Sequence, residues 1–247
     1  MTMTGVDRYF EALSGVLEEI RLKEAASIER VGRLAAETIS KKGMLHVYDT
    51  GHMLTSEMMG RAGGLLAWSP LSFSFGVNNP GRHRDREAKP APKDFAELIA
   101  LALARSNVRE GDIVFVGSVS GKTPNPVEMA LQAKAKGATV IGLTSVEHSR
   151  VLEGEHPSGK RLFEVADIVL DNHAPPGDAM IEVPGFERRV CPASGMAAAA
   201  IMWAVNCVAV QSLAEMGIAP AVYRSVNLPG GPEDVRATED LYADRGY

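Results

Sequence analysis

The sequence predicts an α/β fold built on a parallel sheet covered by helices on both faces. Three observations lead there. Ile113–Val116 is a short, wholly apolar run rich in β-branched residues, as expected for a strand buried on both sides, and Met44–Tyr48 (with His46 on one face), Thr139–Leu143 and Ile168–Leu170 read as further strands. Segments of helical spacing separate them, which is the alternation of a parallel sheet with crossover helices. Hydroxyl-bearing loops at Thr50, Ser118–Thr123 and Thr144-Ser145 follow the strands. The carboxyl ends of parallel strands are where such folds bind ligands.

The elements follow in chain order. Residues 1–40 carry Phe10, Leu13, Leu17 and Ile20, then Ile28, Val31 and Ala35, at helical intervals without a proline. This predicts one long helix or a helical pair within the same domain, packed on a partner subunit or on its own sheet. The main domain spans 41–220. After the first strand, Asp49-Thr50-Gly51-His52 leads into a helix expected over Met53–Arg61 and closed by Gly63-Gly64. A short second strand is placed within Trp68–Phe75. The polar, proline-studded connection 76–93 is of the kind that closes over a ligand, and Asp94 with Glu97 predicts a capping box for a helix to about Ser106. The second clear strand ends at Val116. Asn125 is read as the cap of the next helix, with Pro126 at its first position and Glu128 closing a capping box. Lys134, Lys136 and Gly137 mark its end. After the strand at Ile168, the chain is expected to be irregular until Ser194-Gly195 opens an apolar helix stopped by Gly217. Residues 221–247 are a charged tail.

Composition narrows the function classes. With 45% hydrophobic and 23% charged residues, the 247-residue chain has an ordinary globular balance and material for a sizeable core. A net charge of −5 and the lack of a basic run argue against nucleic acid as a partner. Cys191 and Cys207 are too few for a disulfide framework, which favours a reducing, cytoplasmic home. The first residues lack the apolar core of a signal peptide. Met196–Val210, the most apolar window, is shorter than the roughly 20 residues that span a bilayer and is read as a buried helix, so no membrane association is expected.

The chemistry concentrates on Gly117-Ser-Val-Ser-Gly-Lys-Thr123. A hydroxyl-rich loop between a buried strand and a helix start gathers unpaired N–H groups and the positive end of the helix dipole, which suits an anion such as a phosphate ester. It is not a P-loop, because that motif needs four residues between its first glycine and Gly-Lys-Thr, and only three lie here. Pro124 and Pro126 also remove donors. The first loop lacks the Gly-x-Gly-x-x-Gly of a dinucleotide site. Glu57 and His52 share one loop and helix beside the proposed anion site. Taken alone, they also suit a solvated carboxylate and a loop histidine bonded to backbone. The six histidines show no zinc spacing, and neither a metal nor a cofactor is expected.

Taken together these residues resemble the SIS (sugar isomerase) domain family, and within it a single-domain group related to phosphoheptose isomerases. The Ser/Thr loop carries the likeness most specifically. It is joined by Thr-Val-Ile-Gly-Leu-Thr, Ala-Asp-Ile-Val-Leu-Asp, the Pro-Ala-Ser-Gly start of the last helix, Arg61-Ala-Gly-Gly64 and Ser158-Gly-Lys160. The resemblance implies a three-layer α/β/α sandwich with a parallel, flavodoxin-like sheet of SIS type and an N-terminal helical extension. It implies a sugar phosphate as ligand and a homodimer or homotetramer as assembly. Ser118, Ser120 and Thr123 would hold the phosphate, together with Thr50, Gly51, Gly121, Lys122 and Ser194. Ser-Glu-Met-Met-Gly-Arg places Glu57 where the related isomerases have their base. His52, His83 or a histidine of a neighbouring subunit is open as its partner, and the leading assignment has His52 polarise the oxygen or open the ring. Met53 stands where those enzymes carry a metal-ligand histidine, and the last helix lacks their acid histidine. Aldose–ketose isomerisation through an enediolate is the expected activity. A non-catalytic phosphosugar sensor, or an isomerase of another anionic sugar such as a sulfonate, is the alternative.

Overall fold

The computed structural model describes residues 3–51, 54–76 and 96–244. Thr4 starts helix α1 (Gly5–Lys23): its hydroxyl accepts from the Asp7 N–H while the Asp7 carboxylate takes the Thr4 N–H. That reciprocal pair satisfies donors a helix start otherwise leaves open. α1 stops at Glu24 and α2 (Ala25–Ser40) begins at once, so the N-terminal segment is a helical pair. Strand β1 (Leu45–Asp49), helix α3 (Thr55–Met58), β2 (Trp68–Pro70) and α4 (Ala96–Arg105) follow. Next come β3 (Ile113–Gly117), α5 (Pro124–Ala135), β4 (Thr139–Thr144), α6 (Val146–Arg150), α7 (Leu162–Val165) and β5 (Ile168–Asp171). The short hairpin β6 (Ala179–Ile181) and β7 (Val190–Pro192) leads to α8 (Ser194–Glu215), and α9 (Gly231–Asp244) closes the described chain.

The main sheet has the order β2-β1-β3-β4-β5 with every pairing parallel. This flavodoxin-like order reverses direction between β1 and β3, and the crevice beyond their carboxyl ends is the place such sheets offer a ligand. Register aligns those ends: Asp49 lies opposite Gly117, and Gly117 opposite Leu143. The strands bury both faces, and alternate residues feed two separate cores. Leu45, Val47, Ile113, Phe115, Ile141 and Leu143 pack with α2 and α8 on one face. Val114, Val116 and Val140 pack with α4, α5 and α7 on the other. The result is the three-layer α/β/α sandwich, its strand pattern following from the two-residue period.

Close approach of α2 and α8 explains the small residues along both. A Cβ added at Gly32 would come within 2.5 Å of the Val208 Cβ, a distance no packed side chain tolerates. α8 is the one helix among the described residues long and apolar enough to cross a membrane, yet half of its apolar window is buried inside the fold. It runs 22 residues, longer than the window read from sequence, so burial and not length marks it as a core helix. Asn206 within it is fully used: its Oδ1 accepts from Leu65 N–H and Trp68 Nε1, and its Nδ2 donates to Gly63 O.

Several expectations are corrected. α5 starts two residues early: Thr123 is its cap, in extended geometry, and Pro124 takes the first turn, so Asn125 lies inside the helix. Glu128 therefore closes no capping box and instead binds His156 and Gln132. The helix expected over Met53–Arg61 reduces to the four residues of α3, because Gly60 turns the chain at φ +63°. The stretch expected to be irregular holds the β6–β7 hairpin, and the charged tail folds into α9. His52, Met53, His83, Asp94 and the connection from residue 77 to 93 lie outside the described residues.

Candidate functional site

The loop after β3 is polarised by its hydrogen bonding. Its carbonyls are consumed by neighbouring segments: Val119 O accepts from Thr144 Oγ1 at 2.9 Å and from Ser145 N–H, Gly121 O from Leu162 N–H, and Lys122 O from Glu155 N–H. By contrast, the N–H groups of Val119, Ser120, Lys122 and Thr123 make no hydrogen bond among the described residues, nor do the hydroxyls of Ser120 and Thr123. A run of backbone donors at a helix start, with its carbonyls turned to other partners, is a nest for an anion. Ser118 is buried and shapes the nest from within, its Oγ accepting from Gly121 N–H at 3.3 Å. Gly121 has φ +57°, and a Cβ there would sit 3.0 Å from Leu162 Cβ and 3.1 Å from Thr144 Oγ1. Only glycine fits that corner. The Lys122 ammonium bonds Glu155 at 2.6 Å, so its charge is directed to the following loop.

The loop after β1 is built alike but is already filled. Asp49 turns its carboxylate back on the loop, Oδ1 accepting from Gly51 N–H at 3.1 Å and Oδ2 from Leu54 N–H at 2.7 Å. Thr50 sends both its N–H and its hydroxyl to Gly117 O. This stitches the first loop to the end of β3. The start of α8 is closed in the same way. The Asp178 carboxylate accepts from Ala193 N–H, from Ser194 N–H at 2.8 Å and from Ser194 Oγ at 2.8 Å. Thus Ser194 is buried with its hydroxyl engaged, and Gly51 has its N–H engaged.

Glu57 lies in α3, beyond the first loop. It is half-buried, and its Oε1 meets two donors: the Trp203 indole N–H at 3.2 Å and the Arg61 guanidinium at 3.2 Å. Its Oε2 has no hydrogen bond among the described residues. Met59 beside it, Val119 of the anion loop and Trp203 of α8 pack on the same apolar core. All three therefore lie on the face of the sheet that α2 and α8 cover.

Four residues that matter here escaped sequence reasoning. Asp49 had a signal, since aspartate two residues before a glycine commonly bonds the backbone ahead of it. Arg61 also had one, lying four residues after Glu57, whereas Asp178 had none. Trp203 sits in an apolar helix and reads there as core. His156 and Glu128 form a pair at 2.8 Å behind the anion loop, with His156 Nδ1 against Ser158 Oγ at 2.7 Å. Another pair, His46 and Asp112, is buried at the opposite end of the sheet, where Asp112 also takes the N–H groups of Met44 and Arg109. No group of three or more metal-ligating side chains occurs among the described residues.

Comparison with known proteins gives three findings. The SIS domain matches residues 8–145. A UPF0309 protein of Shouchella clausii is 33% identical over 93% of this chain and 93% of its own length. One from Listeria monocytogenes is 33% identical over 96% and 97%. Among solved structures, phosphoheptose isomerase GmhA from Neisseria gonorrhoeae superposes with TM-score 0.52 at 17% identity, covering 82% of this chain and 96% of that one. A phosphoheptose isomerase from Francisella tularensis gives 0.50 at 17%, covering 86% and 100%. At that identity the likeness establishes a shared fold.

Proposed function

Because the chain belongs to the SIS domain family, among the UPF0309 proteins, we propose that it binds a sugar phosphate and interconverts its aldose and ketose forms. The observation that carries this reading is the asymmetry of the N–H groups. After β1 the Asp49 carboxylate takes the N–H groups of Gly51 and Leu54, after β4 Asp171 and the Ser145 hydroxyl take those of Val146 and His148, and Asp178 takes those that open α8. In the loop 118–123 the N–H groups of Val119, Ser120, Lys122 and Thr123 have no partner among the described residues. The phosphate docks there, on the N–H groups of Ser120, Lys122 and Thr123 and the hydroxyls of Ser118, Ser120 and Thr123. The fold shared with two phosphoheptose isomerases supports a sugar phosphate over other anions.

Isomerisation moves one proton between adjacent carbons. Glu57 Oε2 takes the proton from C2 of the aldose, the electron pair moves onto the C1 oxygen, and the enediolate so formed takes a proton there from His52. The proton then returns to C1 as the C2 oxygen becomes the carbonyl. His52 serves as the acid that exchanges protons with the two oxygens. The reaction needs no net oxidant, and the carboxylate ends as it began. A thermal-shift screen of sugar phosphates identifies the ligand. NMR in deuterated water then follows exchange at C2. Replacing Glu57 with Gln is expected to slow that exchange by about 10²–10⁴-fold, the usual worth of a positioned base, with binding kept. Undiminished exchange removes Glu57 from the role.

A second reading has an observation in its favour: α8 contains no histidine to act as the acid. A protein that binds sugar phosphate without any C2 exchange is then a sensor, and the same screen separates the two. The protein works in the cytoplasm as a homodimer or homotetramer. α8 carries no charged residue between Ser194 and Ala214, and it leaves Met196 and Cys207 exposed. Such a face needs cover. Light scattering that returns the mass of one chain refutes the assembly.

A further inference from the structure

We infer that Trp203 is a positioning residue for Glu57, fixing which carboxylate oxygen meets the substrate; this rests on Glu57 being the base. α3 has only four residues and no side-chain cap, and the chain turns out of it at Gly60. So short a helix does not hold a catalytic carboxylate by itself. The bracing comes from α8, the longest helix in the molecule's described part. Trp203 donates its indole N–H to Glu57 Oε1 at 3.2 Å. One turn further on, Asn206 holds Gly63 O and Leu65 N–H. Two side chains from one face of α8 thus grip the segment 57–65 at both ends. The Trp203 ring is itself held, packing on the core and against Gly64, where an added Cβ would lie 3.4 Å from the ring.

Arg61 reaches the same oxygen, Oε1, from a largely exposed side chain. An oxygen that already accepts from an indole and a guanidinium is the poorer proton acceptor. Proton transfer therefore falls to Oε2, and Trp203 sets where Oε2 points. A base misplaced by an ångström can cost about two orders of magnitude. The indole also adds no charge, so it orients the carboxylate without neutralising it as a buried cation would.

The chain contains two tryptophans, Trp68 and Trp203, so an ¹⁵N-labelled sample shows two indole N–H signals, and Trp203→Phe identifies which is which. Glu57→Gln should move the Trp203 signal and leave that of Trp68, which is bonded to Asn206 Oδ1 at 3.1 Å. Trp203→Phe keeps an aromatic side chain but removes the donor with part of the indole. It is expected to lower kcat for C2 exchange by about tenfold or more, with KM within about twofold and the melting midpoint unchanged. A Trp203 signal indifferent to Glu57→Gln overturns the inference, as does wild-type exchange by Trp203→Phe. If the wild type itself exchanges no sugar phosphate, the base assignment falls and takes this inference with it. Loss confined to the variant supports both.

Discussion

The loops after β1 and β3 leave the sheet side by side, their last residues paired as Asp49 and Gly117. Both pass from a buried strand toward a helix, and both expose backbone donors there. In the first loop the chain supplies its own anion, the Asp49 carboxylate on Gly51 and Leu54 N–H. In the second, the carbonyls are engaged by Thr144, Ser145, Leu162 and Glu155, while the donors stay open. The difference teaches that a turn's sequence does not say whether its N–H groups are offered to a ligand. What decides is whether an internal carboxylate arrives first. On the proposed reading, a filled nest adjoining an open one confines the incoming phosphate to the second loop, with the reacting carbons toward α3.

If the two loops divide the work in this way, damage to each should separate chemistry from grip. The Glu57→Gln change beyond the first loop carries the largest effect, the 10²–10⁴-fold loss of exchange given above, with binding retained. Ser120→Ala in the second loop should do the reverse. One hydrogen bond to a charged phosphate is worth about 1.5–3 kcal/mol, so calorimetry should show roughly 10- to 100-fold weaker binding of the sugar phosphate, with slowing of exchange abolished at saturating ligand. Asp49→Ala should leave Gly51 and Leu54 N–H without their partner and destabilise the fold by about 1–3 kcal/mol in urea unfolding. Sugar-phosphate affinity should hold or improve. A tenfold loss of affinity would mean that the first loop holds the phosphate too.

The smallest effect concerns acid. Arg161 hydrogen-bonds Glu164 and lowers its carboxyl from 4.5 to about 2. Because the folded value lies below the unfolded one, this contribution is complete above pH 4.5 and disappears as pH falls through about 2. Glu164 belongs to α7, whose Leu162 N–H donates to Gly121 O behind the open loop. Acid should therefore loosen the second loop, measured as faster hydrogen exchange at Leu162 between pH 4.5 and 2.5. Arg161→Gln should flatten that dependence.

Much of the framework was legible because strands buried on both faces leave unbroken apolar runs, as at Ile113–Val116 and Thr139–Leu143. The hydroxyl loop was legible because Ser118, Ser120 and Thr123 have no apolar role to play there. Caps were read less well. Asn125 has the right residue type, yet Thr123 takes the cap, since the fixed φ of Pro124 already suits a first helical turn. Glu128 was drawn to His156 by a contact 28 residues away. The β6–β7 hairpin escaped because its strands are three residues long, with left-handed Asp178 just before β6 and left-handed Cys191 inside β7. Trp203 and Asp178 matter only through partners distant in sequence, Glu57 and Ser194. No local pattern announces those.

The most direct test is an amide NMR titration of the labelled protein with a sugar phosphate found in the screen. The account predicts that the backbone signals of Val119, Ser120, Lys122 and Thr123 move on saturation, while those of Gly51, Leu54 and Ser194, already bound to carboxylates, shift little. Large movement at Gly51 or Ser194 with a still loop at 119–123 would contradict it.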